Sequence, residues 1–274
     1  MDLRSTVKLN NGVQMPWVGL GVFLSREGRE TESAVRWALE LGYRHIDTAA
    51  AYNNEQDVGK ALKSSGLARD QVFVTTKVWN ADQGFESTLK AFDSSRRRLE
   101  LDTLDLYLVH WPVKGKYQDT WRALEQLYSQ GKVRAIGVSN FLVHHLQDLL
   151  ANAAVVPAVN QVEFHPFLLQ RELLEFGRAK DIRQEAWSPL TRAKLLTHPL
   201  ITELARKHGR SNPQILLRWD LQHEVVTIPK SVHRERIEEN SRIFDFQLPP
   251  EDMAKLDALD NGTRIGPDPD NFNF

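Results

Sequence analysis

Four titratable side chains of different types lie at or just after the ends of three consecutive apolar segments. Asp47 lies near the end of YRHIDTA, Lys77 near the end of VFVTTKV, and His110 near the end of LDLYLVHW. Tyr52 follows Asp47 within the next loop. If these segments are neighbouring parallel strands, their carboxyl ends meet at one rim and bring the four groups together.

Such a set can protonate an oxygen that becomes negative during a reaction. A free tyrosine has a pKa of about 10 and is an available proton donor near neutral pH. A lysine ammonium at Lys77 favours the phenolate and is expected to lower the pKa of Tyr52. A carboxylate at Asp47 would keep that lysine charged, and a neutral His110 would orient a carbonyl oxygen. The residues therefore predict reduction of a carbonyl group with a tyrosine as acid.

The elements that must position this set are predicted by alternating apolar and amphipathic segments. TVKLNNGVQMP predicts an N-terminal β-hairpin with Asn11-Gly12 as a type I′ turn. One helix is predicted over residues 31–41, with Ala34, Val35, Ala38 and Leu39 on one stripe and Gly42 beyond its end. Strands are predicted at residues 17–23, 43–49, 72–78, 104–111, 134–140, 158–164, 182–188 and 225–230.

Near-continuous apolar strands that alternate with helices predict a parallel sheet covered on both faces. Eight such units favour an α/β fold of the (β/α)8 TIM-barrel type over an open doubly wound sheet. The longer gap before the eighth strand predicts an extra loop and helix, and further helices follow that strand. We expect residues 1–274 to form one domain, since a single barrel takes about 250 residues.

Composition excludes several classes of protein. Lys and Arg number 35 against 36 Asp and Glu, a net charge of −1, which disfavours a nucleic-acid binder. The chain has no cysteine, so thiolate metal sites and cysteine nucleophiles are excluded, and a reducing cytoplasm is a suitable location. No apolar run approaches about 18 residues, and we expect neither a membrane span nor a signal peptide.

Several motifs give the chain a close resemblance to a known family. They are GYRHIDTAAAYNNE, VFVTTKVWN, LDLYLVHWP, IGVSNF, VNQVEFHP, EAWSPL and TIPKSV. Over essentially its whole length the chain resembles the aldo-keto reductases, specifically the small prokaryotic branch with 2,5-diketogluconate and glyoxal/methylglyoxal reductases. The resemblance implies a monomer that reduces aldehydes and small dicarbonyls with NADPH. Its catalytic tetrad maps onto Asp47, Tyr52, Lys77 and His110.

The cofactor prediction also depends on that resemblance, because the Rossmann pattern G-x-G-x-x-G is absent. Gly19-Leu20-Gly21 is only a fragment of it. The family instead binds an extended NADPH across the barrel mouth. This implies that Ser139, Asn140 and Gln161 bind the nicotinamide carboxamide and that Trp187 stacks on its ring, where many members have tyrosine. Ser188 and Leu190 would line the pyrophosphate path, and the remaining implied contacts are Gly21, Val22 and Ile228.

A phosphate site can be argued physically from the loop after the eighth strand, which is a usual anion site of barrels. A helix N-terminus with basic and hydroxyl side chains would bind the 2′-phosphate that distinguishes NADPH from NADH. The predicted residues are Lys230, Ser231, Val232, Arg236 and Asn240. In the preceding loop, SPLTRAKLL, we expect Arg192 and Lys194 to touch the pyrophosphate or slow cofactor release.

The resemblance places Phe23, Trp79 and Trp111 with His110 around the substrate mouth, while Trp17 is expected to be structural. The short tail that contains Asp268 to Phe272 predicts an open pocket with broad selectivity. Glu163 and His165 fit either a pocket or a structural role. The pair His144-His145 and the run Arg96 to Arg98 are expected on solvated helix faces.

Two other functions compete with this interpretation. A metal-dependent hydrolase would gather Asp47, His110, Glu163 and His165 around one ion. However, the first strand has no H-x-H and the eighth has no carboxylate, so we expect no metal site. A non-catalytic NADPH-binding subunit is the second alternative, and the intact tetrad argues against it.

Overall fold

The predicted apolar segments form one parallel sheet that closes on itself. A computed structural model describes residues 1–274. The sheet runs in chain order over eight strands. These are β3 (Leu20–Gly21), β4 (His45–Asp47), β5 (Phe73–Val78), β6 (Leu104–Val109), β7 (Val133–Ser139), β8 (Val159–Glu163), β9 (Arg183–Trp187) and β10 (Val226–Thr227). The prediction of a (β/α)8 barrel is confirmed.

Backbone hydrogen bonds between the first and last strand segments complete the barrel. The N–H of Gly19 donates to the carbonyl of Thr227 at 3.0 Å, and the N–H of Thr227 donates to Trp17 at 3.0 Å. A Cβ at Gly21 would lie 2.9 Å from the carbonyl oxygen of Ile228. Only glycine therefore fits at this closure. The two closing strands are shorter than predicted, and only isolated bridges, Val18 with Thr227 and Gly21 with Lys230, join them.

Helices cover the outside of the sheet in the predicted alternation. They are α1 (Arg29–Glu40), α2 (Glu55–Ser64), α3 (Phe85–Leu99), α4 (Tyr117–Ser129), α5 (Val143–Leu150), α6 (Arg171–Ala179), α7 (Pro199–His208), α8 (Asn212–Gln222), α9 (Arg234–Ser241) and α10 (Pro250–Asp257). Helix α1 buries its predicted stripe, and Gly42 follows with φ of 102°. Helix α7 is the extra helix predicted in the long gap, and α10 is an additional C-terminal helix. None of the helices has the length and apolar character needed to cross a membrane.

The N-terminal hairpin lies at the amino-terminal end of the barrel. Strands β1 (Thr6–Lys8) and β2 (Gln14–Pro16) pair antiparallel. Asn10 and Asn11 donate side-chain hydrogen bonds to the carbonyls of Pro157 and Arg134, near the starts of β8 and β7. The predicted type I′ turn is wrong, because only Gly12 of the pair has positive φ. The Gly12 N–H bonds to the Leu9 carbonyl and the Leu9 N–H to Val13, which makes a three-residue loop.

Candidate active site

The four predicted catalytic side chains meet at the carboxyl-terminal rim of the barrel. Lys77 donates from Nζ to both carboxylate oxygens of Asp47, at 2.8 and 2.9 Å, and to the Thr48 carbonyl at 2.9 Å. The same Nζ lies 5.1 Å from the centre of the Tyr52 ring. The His110 ring stands nearly perpendicular to the Tyr52 ring with centroids 5.7 Å apart. The convergence predicted from the strand ends is present.

A buried asparagine holds the loop that carries Tyr52. Tyr52 ends a short 3₁₀ turn that follows β4. Asn54 accepts a hydrogen bond from Thr48 Oγ1 at 2.8 Å and donates to the Val22 carbonyl at 3.0 Å. These contacts fasten the Tyr52 loop to the end of β3. We did not predict this role for Asn54, since an asparagine within a loop carries no distinguishing pattern.

Burial and charge oppose each other in the Lys77–Asp47 pair. Burial alone would lower the pKa of the Lys77 ammonium, but attraction to Asp47 and Tyr52 outweighs burial and leaves that pKa raised. Burial raises the pKa of Asp47, and the Lys77 charge limits the rise. With three hydrogen bonds to acceptors, Lys77 is held as an ammonium.

The expected lowering of the Tyr52 pKa is wrong in direction. Burial raises the pKa of Tyr52 by more than the Lys77 charge lowers it. Tyr52 is therefore a protonated phenol over the neutral pH range, which is the form needed in a proton donor. Burial and the Lys77 charge both lower the pKa of His110 well below its usual value, so its imidazole is neutral, as expected.

A cavity of about 1200 Å³ opens above these residues. Its lining includes nine of the residues predicted to bind the cofactor: Gly21, Ser139, Asn140, Gln161, Trp187, Ser188, Leu190, Ile228 and Lys230. Four others, Ser231, Val232, Arg236 and Asn240, lie beyond its lining, around the start and within helix α9. Val22 is fully buried, and its carbonyl accepts the bond from Asn54.

The polar groups at the predicted carboxamide site hold one another in fixed orientations. Gln161 donates from Nε2 to Asp47 Oδ2 at 2.7 Å and to Glu185 Oε2 at 2.8 Å. Asn140 donates to the His110 carbonyl and accepts from the Trp187 indole N–H, at 2.9 and 2.8 Å. Because both amide hydrogens of Gln161 are used, its Oε1 is the atom left to accept a bond from a ligand.

The loop after β9 has an unusual backbone for a segment without glycine. Thr191, Arg192 and Ala193 are consecutive and all have positive φ, at 53°, 49° and 64°. This left-handed region is unfavourable for side-chain-bearing residues. The Arg192 guanidinium lies 5.4 Å from the centre of the Phe23 ring, so it reaches from this loop to the opposite side of the cavity mouth. Lys194 does not line the cavity.

The tail covers part of the mouth that the sequence predicted to be open. Phe274 stacks on Trp79 with ring centroids 5.9 Å apart, and Phe272 packs against Trp111 at 5.0 Å. Asn80 donates to the Phe274 carbonyl at 3.1 Å. The tail folds back across the rim, and its two aromatic rings therefore cover the predicted substrate side of the cavity. Phe23 lines the opposite side of the cavity, and Trp17 is buried in the core.

Glu163 and His165 have a structural role, which the sequence left undecided. The two bond to each other at 3.0 Å. Glu163 also accepts the backbone N–H groups of Ile265 and Gly266, at 2.5 and 3.1 Å. They hold the tail and do not join Asp47 and His110 around one point, so the ligand set of the rival metal hydrolase is not assembled.

Two predictions of solvated helix faces are wrong in part. Arg98 donates to the buried carboxylate of Glu55 at 2.7 Å. The Nε2 atoms of His144 and His145 lie 2.9 and 3.5 Å from Asp270 Oδ1 in the tail. His145 Nδ1 accepts the Leu142 N–H, so its Nε2 carries the proton and points toward that carboxylate. These contacts join segments far apart in sequence, which local patterns do not reveal.

A fold and site of this kind define a class of reductases. The Aldo/keto reductase family model matches residues 24–261. The chain belongs to this family and is an oxidoreductase that acts on carbonyl groups.

Individual proteins are similar to the chain over nearly its whole length. Glyoxal reductase of Bacillus subtilis is 58% identical over 273 residues, covering 100% of this chain and 99% of that protein. Methylglyoxal reductase DkgA of Salmonella typhimurium is 44% identical, with 97% of each chain covered. Among solved structures, an aldo-keto reductase from a Medee basin deep-sea metagenome library has a TM-score of 0.95 at 47% identity, covering 98% and 100% of the chains. A Gox0644 mutant in complex with NADPH has a TM-score of 0.94 at 42% identity, with 98% of each chain covered.

Proposed function

We propose that the protein reduces aldehydes and small dicarbonyls, such as glyoxal, methylglyoxal or diketo sugars, to alcohols with NADPH. The observation that carries the proposal is the protonated Tyr52 beside a buried Lys77–Asp47 pair and a neutral His110 at the cavity floor. The 58% identity to a glyoxal reductase supports the choice of small dicarbonyls. We also propose that the protein is a cytoplasmic monomer and that residues 1–274 form one domain.

The residues around the cavity fit NADPH. Gln161 presents a free amide oxygen, and the Trp187 indole is fixed by its bond to Asn140. Lys230 lies on the cavity lining near the start of α9, where an anionic group is favoured. When bound, NADPH supplies the hydride that reduces the carbonyl carbon. Arg192 lines the cavity and would contact the pyrophosphate, whereas Lys194 does not line it.

The side chains of the tetrad divide the proton chemistry among them. His110, neutral and adjacent to Tyr52, donates a hydrogen bond that orients the carbonyl oxygen. Tyr52 transfers its phenolic proton to that oxygen. The Lys77 ammonium stabilises the phenolate that remains, and Asp47 keeps Lys77 charged and in place.

The decisive experiment replaces the acid and keeps the ring. Tyr52→Phe is expected to lower kcat for methylglyoxal by at least about 100-fold, the usual contribution of a general acid. NADPH affinity, measured by fluorescence titration, should stay within about twofold, because packing is retained. Tyr128→Phe, on helix α4 away from the cavity, is the matched control. Near-wild-type turnover by Tyr52→Phe would overturn the mechanism.

A further inference from the structure

One buried carboxyl group lies beside the tetrad and has no role in the chemistry just described. Glu185 is in the middle of β9 and is fully buried. Its Oε2 accepts from Gln161 Nε2 at 2.8 Å. Its Oε1 has no hydrogen-bond partner and lies 3.6 Å from His45 Nε2.

Gln161 connects this carboxyl to the catalytic pair. Its amide group gives one hydrogen to Glu185 and the other to Asp47, which in turn binds Lys77. If the amide rotated by 180°, its oxygen would face two carboxyl oxygens. The two acceptors therefore keep Gln161 Oε1 directed to the cavity, where the proposed function requires it to meet the cofactor.

The polar and titratable groups that face Glu185 across the barrel interior lie on three other strands. His45 and Asp47 lie on β4, Lys77 on β5, and the amide of Gln161 on β8, while β10 contributes no titratable group. Burial lowers the pKa of His45 to about 3, so that ring is neutral. One ammonium thus faces two carboxyl groups in a buried interior, where a second negative charge is unfavourable.

We propose, on the basis of the function proposed above, that Glu185 is a positioning residue that acts as a neutral acid. In that form it holds Gln161 and leaves the Lys77 charge balanced by Asp47 alone. If Glu185 ionises, a second negative charge lies behind Asp47. The phenolate of Tyr52 is then less stable, and proton transfer to the substrate slows. Burial, with the Asp47 charge, raises the pKa of Glu185 to about 8, which places this change just above neutrality.

The first test is the pH profile of kcat between pH 6 and 9.5. The wild type should lose turnover as pH rises through about 8, whereas Glu185→Gln should retain it until Tyr52 itself titrates. Asp220→Asn is the matched control, because Asp220 is also a fully buried acid but lies on α8 and bonds Thr227. Its profile should equal that of the wild type. The same alkaline decline in Glu185→Gln and the wild type would overturn the proposal, as would a Glu185→Gln variant that folds and binds NADPH but is inactive.

A second variant tests the link through Gln161. Glu185→Leu removes the acceptor and should weaken NADPH binding by about tenfold, the effect of one lost hydrogen bond to a positioning group. Glu185→Gln should keep that affinity, since its amide oxygen still accepts. Equal affinities for the Leu variant and the wild type, in folded protein, would contradict the positioning role.

A stability measurement keeps this proposal separate from the proposed function. A carboxyl whose pKa is raised on folding loses stabilising effect as pH rises from its unfolded pKa to its folded one. Urea unfolding should therefore show wild type losing stability relative to Glu185→Gln from about pH 4.3 to about pH 8. If this difference appears but no carbonyl is reduced, the proposed function fails and the neutral acid stands. If it is absent, the neutral acid is refuted whatever the activity.

Discussion

Lys77 is a fully buried ammonium, and without its three hydrogen-bond acceptors burial would favour the neutral amine. Its side chain is inaccessible to solvent, and its bonds to both Asp47 oxygens and the Thr48 carbonyl replace water. Burying a charge without a partner is costly, which makes the two residues interdependent. Stability and catalysis thus depend on the same pair.

Lys77→Met should therefore affect stability and catalysis together. It leaves Asp47 as a buried and unpaired carboxylate, and we expect a loss of about 3–5 kcal/mol in the free energy of unfolding. In urea titrations the double variant Lys77→Met with Asp47→Asn should recover part of that loss, since no lone charge remains. It should not recover turnover. If the double variant lost as much unfolding free energy as the two single variants together, this account would be contradicted.

The proposed site for the 2′-phosphate of NADPH can be tested at two basic side chains, Lys230 and Arg236. Lys230 is on the cavity lining, whereas Arg236 lies outside it on an exposed part of α9. Lys230→Ala and Arg236→Ala should each raise the Kd of NADPH more than that of NADH, because only NADPH carries the 2′-phosphate. We expect the larger ratio at Lys230. Losses of equal size for both cofactors would refute the phosphate assignment.

Residue types and strand ends were sufficient to predict that Asp47, Tyr52, Lys77 and His110 converge, because a barrel brings successive strand ends to one rim. They were insufficient for the amide of Gln161, whose partners are Glu185 on the neighbouring strand β9 and Asp47 on the distant strand β4. They also misjudged Tyr52, because the expectation counted the Lys77 charge and left out the burial that opposes it. Such terms depend on the closed three-dimensional site.

At the scale of elements, the tail joins both sides of the cavity. Glu163 fixes its start at Ile265 and Gly266, and Asp270 contacts His144. Along the chain, the tail first contacts Trp187, on the predicted cofactor side, at Gly266. It then contacts Trp111 and Trp79, on the predicted substrate side, through Phe272 and Phe274. The alternation of strands and helices predicts nothing about this segment, because it belongs to neither.

Gly266 is the point where the tail touches the cofactor side. A Cβ at this position would lie 2.4 Å from Cη2 of Trp187. Gly266→Ala should therefore displace the indole and weaken NADPH binding by several-fold in a fluorescence titration. Gly262→Ala is the control, because a Cβ there meets no atom within 4 Å and brings only the cost of its positive φ. If the two variants bind NADPH alike, the ring contact is irrelevant to the cofactor.

For the whole molecule, the two ends of the barrel have separate tasks. At the end opposite the cavity, the buried Asp105 pairs with Arg69 and Arg134 at 2.5 and 2.7 Å and accepts the Val74 N–H. Barrel enzymes place chemistry at the carboxyl-terminal face and stability at the other. The hairpin β1–β2 covers this same stabilising end.

Asp105→Ala separates the two tasks. It leaves the Val74 N–H unpaired and removes the centre of the ion-pair cluster, so thermal unfolding should show a loss of about 3 kcal/mol. The kinetic constants of the protein that remains folded should match those of the wild type. A changed KM or kcat at a temperature well below the transition would show that the two ends are coupled.

The chain's path also has an evolutionary consequence. The aromatic rings that cover the substrate side, Phe272 and Phe274, belong to a segment outside all eight βα units and outside the barrel's hydrogen-bonded ladder. Substitutions there would change the lining of the cavity and leave in place the strands that carry Asp47 and Lys77 and precede His110. The shape of this part of the cavity can therefore change through a few rim residues while the strands that hold the buried side chains beneath it stay the same.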